Sequence, residues 1–213
     1  MPDTTRPRRR RKDARPAEVL DAALEVFCEK GFAAARMEDI AAKAGVAKGT
    51  LYLYFPSKDD IFKALVKIAA AANVERVEAL AAAHQGSMAA LLRLILSTAV
   101  HLLNHPRARV LPKLVLSQAG MFPELALYYR THLIERMLGV LAQVHRRGVA
   151  AGEFRDVDST VVARLCVAPV VMTAVLRSVF TPADQDPIGP TPETVIQTHL
   201  DVLLHGLMAK QEE

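Results

Sequence analysis

Nothing constrains this chain more than the stretch from Met37 to Lys58, MEDIAAKAGVAKGTLYLYFPSK, where two short apolar-periodic segments meet at a glycine. Ile40, Ala41 and Ala44 recur at helical spacing. Gly45 supplies a tight turn without a Cβ clash, and Val46 leads into a second helix whose inward positions are Leu51 and Phe55. The pattern predicts a helix-turn-helix. With Leu51 and Phe55 turned in, an advance of about 100° per residue puts Lys48, Gly49, Tyr52 and Leu53 on the opposite face. A leucine beside a tyrosine, a lysine and bare glycine backbone has no structural reason to face water. It suits contact with a flat, charged surface.

Duplex DNA meets each of those needs. Lys48 can hydrogen-bond guanine edges or phosphate, Leu53 and the Tyr52 ring can touch thymine methyls, and Gly49 lets the backbone approach closely. Thr50 and Tyr54 carry hydroxyls suited to phosphate oxygens. Pro56 stops the helix and Ser57 is placed to cap the next one, with Asp60 as capping-box partner, so Lys58 in its first turn can pair with phosphate.

The run GFAAARMEDIAAKAGVAKGTLYLYFPSKDDIF closely resembles the DNA-binding domain of the tetracycline-repressor (TetR) family of bacterial regulators, a likeness covering about residues 13–73. The resemblance implies a positioning helix over Met37–Ala44 and a recognition helix from Ala47 or Lys48 to Tyr54. It implies base contacts from Lys48, Gly49, Tyr52 and Leu53, and phosphate contacts from Thr50, Tyr54 and Lys58. Two positions depart from the family pattern. Arg36 stands where a capping Ser or Thr is usual, and Ala47 where a capping Ser is usual. Each missing cap weakens a helix start by on the order of 1 kcal/mol, while the charge of Arg36 offers another route to phosphate.

The remaining sequence predicts an all-α protein of 213 residues, just over half hydrophobic, rich in Ala and Leu and poor in aromatics. The fold expected is an N-terminal three-helix helix-turn-helix domain joined by a long helix to a C-terminal helical ligand-binding and dimerisation domain. The boundaries are a basic arm over 1–14, the DNA-binding domain over 13–73 and the C-terminal domain over 74–213. Charge is uneven. Residues 1–15 hold seven Arg or Lys against Asp3 and Asp13, a local +5 in a chain whose net charge is +4. Such an arm, disordered when free, can follow phosphates or enter the minor groove. Cys28 and Cys166 lack disulfide or zinc spacing and read as small core residues in a reducing cytoplasm. Acidic residues follow the basic arm where a signal peptide would turn apolar, and the apolar run Leu165–Leu176 is too short to span a bilayer, so a soluble cytoplasmic protein without membrane contact is expected.

Along the chain, Pro16 opens a first helix with an apolar stripe of Val19, Leu20, Ala23, Leu24 and Phe27, which Gly31 ends; Phe32 then tucks under the helix-turn-helix. From Ser57 no Pro or Gly appears until Gly86, predicting a helix of roughly 35–40 Å that can act as a lever. Ser87 caps a helix to Asn104, Pro106 starts another to near Gly120, and Pro123 a long one through Arg147, with a turn from Gly148 to Phe154. Asp158 caps an almost wholly apolar helix holding Pro169, residues 181–192 form a linker, and Glu193–Met208 is the last helix. The two C-terminal helices carry more apolar surface than one small domain hides. That predicts a homodimer closed by a four-helix bundle, as the resemblance also implies, and hence a palindromic operator.

The resemblance implies a pocket for a small-molecule effector in the C-terminal domain. Thr98, His101, Gln118, Tyr128, His132 and Met172 are candidate lining residues among apolar helices, fitting an apolar or amphipathic effector whose identity the sequence does not name. His101 and His105 have the i, i+4 spacing of metal ligands, but no carboxylate or Cys accompanies them, and neither a metal nor a cofactor is assigned. No phosphate loop, nucleophile elbow or carboxylate pair points to an enzyme. Two functions fit: a repressor released from DNA by its effector, and an effector-independent DNA-binding dimer, either an activator or an architectural protein.

Overall fold

Gly31 makes the first bend. In the computed structural model, which describes residues 15–104, 110–179 and 189–209, helix α1 (Arg15–Ala34) is interrupted there by φ 75° and ψ 162°, left-handed backbone that glycine tolerates. The bend drops Phe32 into a core with Phe27, at 5.1 Å between ring centroids, and Phe62, edge-on at 5.9 Å. Around this aromatic trio lie Val19, Ala23, Ile40, Leu51 and Ile61, all fully buried. They belong to α1, α2 (Met37–Lys43), α3 (Lys48–Tyr54) and α4 (Lys58–Ala70), and the first of two units in the chain, Met1–Leu65, ends within α4.

The expected turn at Gly45 is a Schellman motif. Gly45 has φ 65°, its N–H donates to the Ala42 carbonyl (3.2 Å), and the Val46 N–H donates to that of Ala41 (3.0 Å). Ser57 caps α4 as expected, its Oγ accepting from the Asp60 N–H (3.2 Å) and donating to Asp60 Oδ2 (2.7 Å). Phe55 departs from expectation: it is the half-buried C-cap of α3, with φ −136° and ψ 106°, outside the helix. Cys28 is a second departure, exposed on α1, whereas Cys166 is in the core.

The second unit, Val66–Glu213, begins in the last turns of α4. The uninterrupted helix expected from Ser57 contains a π-helical turn over Ala71–Glu75 before α5 (Arg76–Ala83), and the Asn73 Nδ2 donates to the Ala69 carbonyl there (2.8 Å). The unit continues through α6 (Met88–Asn104), α7 (Val110–Gln118), α8 (Pro123–Tyr129), a second π-helical turn at Arg130–Ile134, α9 (Glu135–Ala150), α10 (Ser159–Val179) and α11 (Pro192–Leu207). Its core joins Leu91, Leu92, Leu141, Val144, Ala163, Cys166, Ile196 and Leu200 from α6, α9, α10 and α11. The basic arm, the expected helix start at Pro106 and residues 181–188 of the expected linker lie outside the described residues.

Two sequence readings are refined by the structure. Gly148 does not begin a turn: α9 runs on to Ala150 and closes at Gly152, whose φ is 72°, with its N–H donating to the Val149 carbonyl (3.0 Å) and the Glu153 N–H to that of Gly148 (2.8 Å), while the Phe154 ring packs directly over the bare Gly148 backbone. The run Leu165–Leu176, too short by itself to span a bilayer, lies within the long helix expected from the Asp158 cap, and taken over that helix Ser159–Arg177 has the length and hydropathy to cross a membrane. In this fold Val162, Ala163, Cys166 and Ala174 of that helix are built into the core, while Val161, Leu165, Met172 and Leu176 are exposed along another face. Asp158 caps α10 as expected, its Oδ1 accepting from the Thr160 N–H at 2.8 Å, and Pro169 stands inside the helix.

Glu153, in the turn after α9, pins the start of α6. Its carboxylate accepts from the N–H groups of Met88 (2.6 Å) and Ala89 (2.9 Å) and from the Ser87 hydroxyl. Burial pushes its pKa up, but these hydrogen bonds outweigh burial and hold it below the ordinary 4.5. A carboxylate depressed in the folded state contributes stability that is complete above the unfolded pKa and is lost as pH falls through the folded one. Glu153→Gln should therefore destabilise the protein by on the order of 1 kcal/mol at pH 7. It should also flatten the acid side of a melting-temperature profile taken between about pH 3 and pH 7.

Candidate nucleic-acid interface

The outward face of α3 is what the fold leaves bare. Leu51 is fully buried, the helical advance turns Gly49 and Leu53 to the opposite side with Tyr52 on the flank, and Lys48 is exposed in the first turn of α3. Leu53 is 84% exposed, an extreme value for a leucine beside a well-formed core. Tyr52 is 41% exposed, with the Lys48 ammonium 5.9 Å from its ring centroid. A Cβ built on Gly49 would meet nothing within 4 Å, so no packing requirement of the free protein calls for glycine there. Thr50 and Tyr54 are half-buried at the border of this face.

Electrostatics add a residue the sequence reading passed over. Lys48 Nζ lies 2.5 Å from Oε1 of Glu38, in the first turn of α2. Lys48 holds the Glu38 carboxyl below its ordinary pKa, chiefly through this hydrogen bond, and Glu38 in turn raises that of Lys48. Ten residues separate the two in sequence, and only the packing of α2 on α3 across the Gly45 turn makes them neighbours. Further ion pairs tie α2 to α1: Lys30 to Asp39 at 2.9 Å, and Lys43 to Glu29 at 2.5 Å and Glu25 at 3.2 Å.

Arg36 is exposed at the N-cap of α2, and neither it nor Ala47 at the N-cap of α3 makes a side-chain capping hydrogen bond. A guanidinium has no acceptor with which to cap. The compensating bond is Asp39 Oδ2, which accepts from the Arg36 N–H at 3.3 Å. Lys58 corrects the sequence reading. Its ammonium turns inward, donating to the carbonyls of Phe32 (2.7 Å), Ala33 (3.0 Å) and Ala35 (3.3 Å) and lying 4.8 Å from the Phe32 ring centroid. It satisfies the carbonyls around the bend of α1, an arrangement hidden from sequence because those groups are 23 to 26 residues away.

Of the residues nominated for an effector pocket, Thr98, Gln118, Tyr128, His132 and Met172 have described side chains. Tyr128 and His132 stack at 3.8 Å, and His132 Nδ1–H donates to the Tyr128 carbonyl at 2.9 Å, beside the second π-helical turn. Thr98 donates to its own helix at the Ile95 carbonyl (2.6 Å). Gln118 keeps a buried Oε1 without a partner. Met172 is 57% exposed on the outer face of α10, not a wall of an internal pocket, because the inward positions of that helix are Val162, Cys166 and Ala174. The side chains of His101 and His105 lie outside the described residues, and no cluster of three metal-ligating side chains occurs among the described ones.

A helix-turn-helix presenting this face, followed by a separate helical unit, defines a DNA-binding regulator. The chain belongs to the TetR family. The model for "Bacterial regulatory proteins, tetR family" matches residues 19–65, and that for "Tetracyclin repressor-like, C-terminal domain" matches residues 82–195. The family is one of transcriptional regulators, not enzymes. The fatty acid metabolism regulator protein of Bacillus subtilis is 44% identical over 69 residues, 32% of this chain and 36% of that protein. The match thus spans about a third of that relative's length. Among solved structures, FadR of Bacillus subtilis in complex with stearoyl-CoA superposes with a TM-score of 0.74 at 24% identity, covering 89% of this chain and 98% of that one. The fatty acid degradation regulator FadR of Bacillus halodurans gives 0.71 at 21% identity, covering 89% and 94%. Likeness at these identities establishes the shared fold.

Proposed function

We propose that this protein is a cytoplasmic, homodimeric repressor that binds a palindromic operator through α3 and is released by an apolar or amphipathic effector bound among the helices of the C-terminal unit. The observation that carries the reading is the exposed Lys48, Gly49, Tyr52 and Leu53 face, on which Gly49 and the 84% exposed Leu53 serve no packing need of the free fold. Base contacts come from these four residues and phosphate contacts from Thr50, Tyr54 and Arg36. Lys58 serves the fold and reaches phosphate only by leaving its carbonyls.

Dimerisation follows from an apolar face in need of cover. Val161, Leu165, Met172 and Leu176 fall at spacings of four and seven along α10, one stripe on the helix, and α11 adds the exposed Val202. A twofold pairing of α10 and α11 would bury this stripe as a four-helix bundle and fix the separation of two reading heads. An acyl-CoA effector is the first choice to test, because the B. subtilis FadR with this fold was crystallised with stearoyl-CoA.

The test combines footprinting on the DNA upstream of the protein's own gene, the mass of the complex in solution, and titration with stearoyl-CoA, stearate and CoA separately. A protected palindrome bound by a dimer, and a 5- to 150-fold affinity loss with one acyl probe, are expected from coupling of about 1–3 kcal/mol. A monomer on an asymmetric site would overturn the dimeric reading. Unchanged affinity with every probe would favour an effector of another class or the effector-independent dimer.

A further inference from the structure

Glu38 is out of place on a surface meant for a polyanion. It is exposed in the first turn of α2, beside the reading face, with its carboxylate on the Lys48 ammonium. Phosphates repel such a charge, so it weakens non-specific binding to any DNA. Nor does it anchor α2: Lys30–Asp39 and the Lys43 pairs with Glu25 and Glu29 already tie that helix to α1, and Ile40, Ala41 and Leu51 are buried where α2 and α3 meet. Arg36, at the N-cap two residues before Glu38, also lowers its pKa, as the smallest of the causes.

An acidic acceptor and a basic donor held side by side suit a C·G pair, whose cytosine N4 amino group is the usual partner of a carboxylate and whose guanine O6 and N7 are the usual partners of a lysine. In the major groove T·A and A·T also present a donor, adenine N6, beside the acceptors N7 and O4, but they add the thymine methyl group, which a charged pair does not favour. We propose that Glu38 and Lys48 act as one specificity-determining unit, Glu38 accepting from cytosine N4 while Lys48 donates to guanine O6 or N7 of the same or the adjacent pair. On DNA lacking that edge the two stay paired with each other. Lys48 then adds little to non-specific affinity and Glu38 subtracts from it. The inference rests on the reading of α3 as the recognition helix, and its test separates the two.

The experiment is binding-site selection from a random duplex library by the full-length wild type, Glu38→Ala and Glu38→Gln, with affinities then measured for the selected site and a scrambled duplex. The wild type should select a palindrome with a C·G pair at one symmetric position. Both variants should lose about tenfold or more of the preference for that pair, the scale of a good base contact, while binding the scrambled duplex more tightly than wild type. Both substitutions are at an exposed position, and unchanged circular dichroism melts would verify that the fold is intact. A wild type that selects a palindrome together with variants that select it with the same base preferences would overturn the role of Glu38 and leave α3 as the reader. A wild type that selects no sequence would remove both.

Discussion

Gly148→Ala should lower the stability of the protein by about 1–2 kcal/mol, an overpacking cost of up to about 3 kcal/mol less the gain of up to about 1 kcal/mol that alanine brings over glycine within a helix. A Cβ at this position would lie 2.1 Å from Cδ2, 2.4 Å from Cε2 and 2.9 Å from Cγ of Phe154, a ring that is 3% exposed. The ring has little freedom to withdraw. It stacks on buried His145, with centroids 5.6 Å apart and planes 6° from parallel. Its backbone N–H donates to the Gly148 carbonyl at 3.2 Å, and Phe154 bridges to Met208 after α11. The overlap must be relieved through α9, α11 and the Glu153 cap together, which is why it outweighs propensity. Thermal melts should show a fall of roughly 2–8 °C for a chain of this size. Gly139→Ala is the internal control: it is in the same helix with nothing within 4 Å of the added methyl, and should melt at or above the wild-type temperature. Equal melting temperatures for the two variants would refute the Phe154 packing.

What the sequence made legible follows from how local each signal is. The Gly45 turn, the Ser57 and Asp158 caps and the inward Leu51 depend on residues within a few positions of one another, and each is present in the structure. Leu53 could be placed outside because helical phase propagates from Leu51 without reference to the rest of the chain. The misreadings share the opposite property. Lys58 pairs with carbonyls more than twenty residues away, and the Glu38–Lys48 pair exists only once α2 is docked on α3. Met172 was misplaced because a helix apolar on several sides does not reveal which side the core takes and which is left for another surface.

Gly49→Ala should separate folding from reading, since the two respond in opposite directions. Unlike Gly45, whose φ of 65° demands glycine, Gly49 is within α3 with open space around a prospective Cβ. Alanine there fits the free protein and favours the helix by up to about 1 kcal/mol, so the melting temperature should hold or rise slightly. The same methyl points out between Lys48, Tyr52 and Leu53, where the proposed complex brings the α3 backbone against base edges. A carbon inserted into a contact made by bare backbone forces the helix outward and loosens its neighbours' contacts together. A loss of operator affinity of tenfold or more, about 1.4 kcal/mol, is expected. The slope of log affinity against log salt should remain at the wild-type value, because no phosphate contact is removed; Lys48→Ala should reduce it wherever that ammonium meets phosphate. Wild-type operator affinity in a folded Gly49→Ala protein would mean that the α3 backbone keeps its distance from the groove, and reading would then have to come from the longer side chains of Lys48, Tyr52 and Leu53 alone.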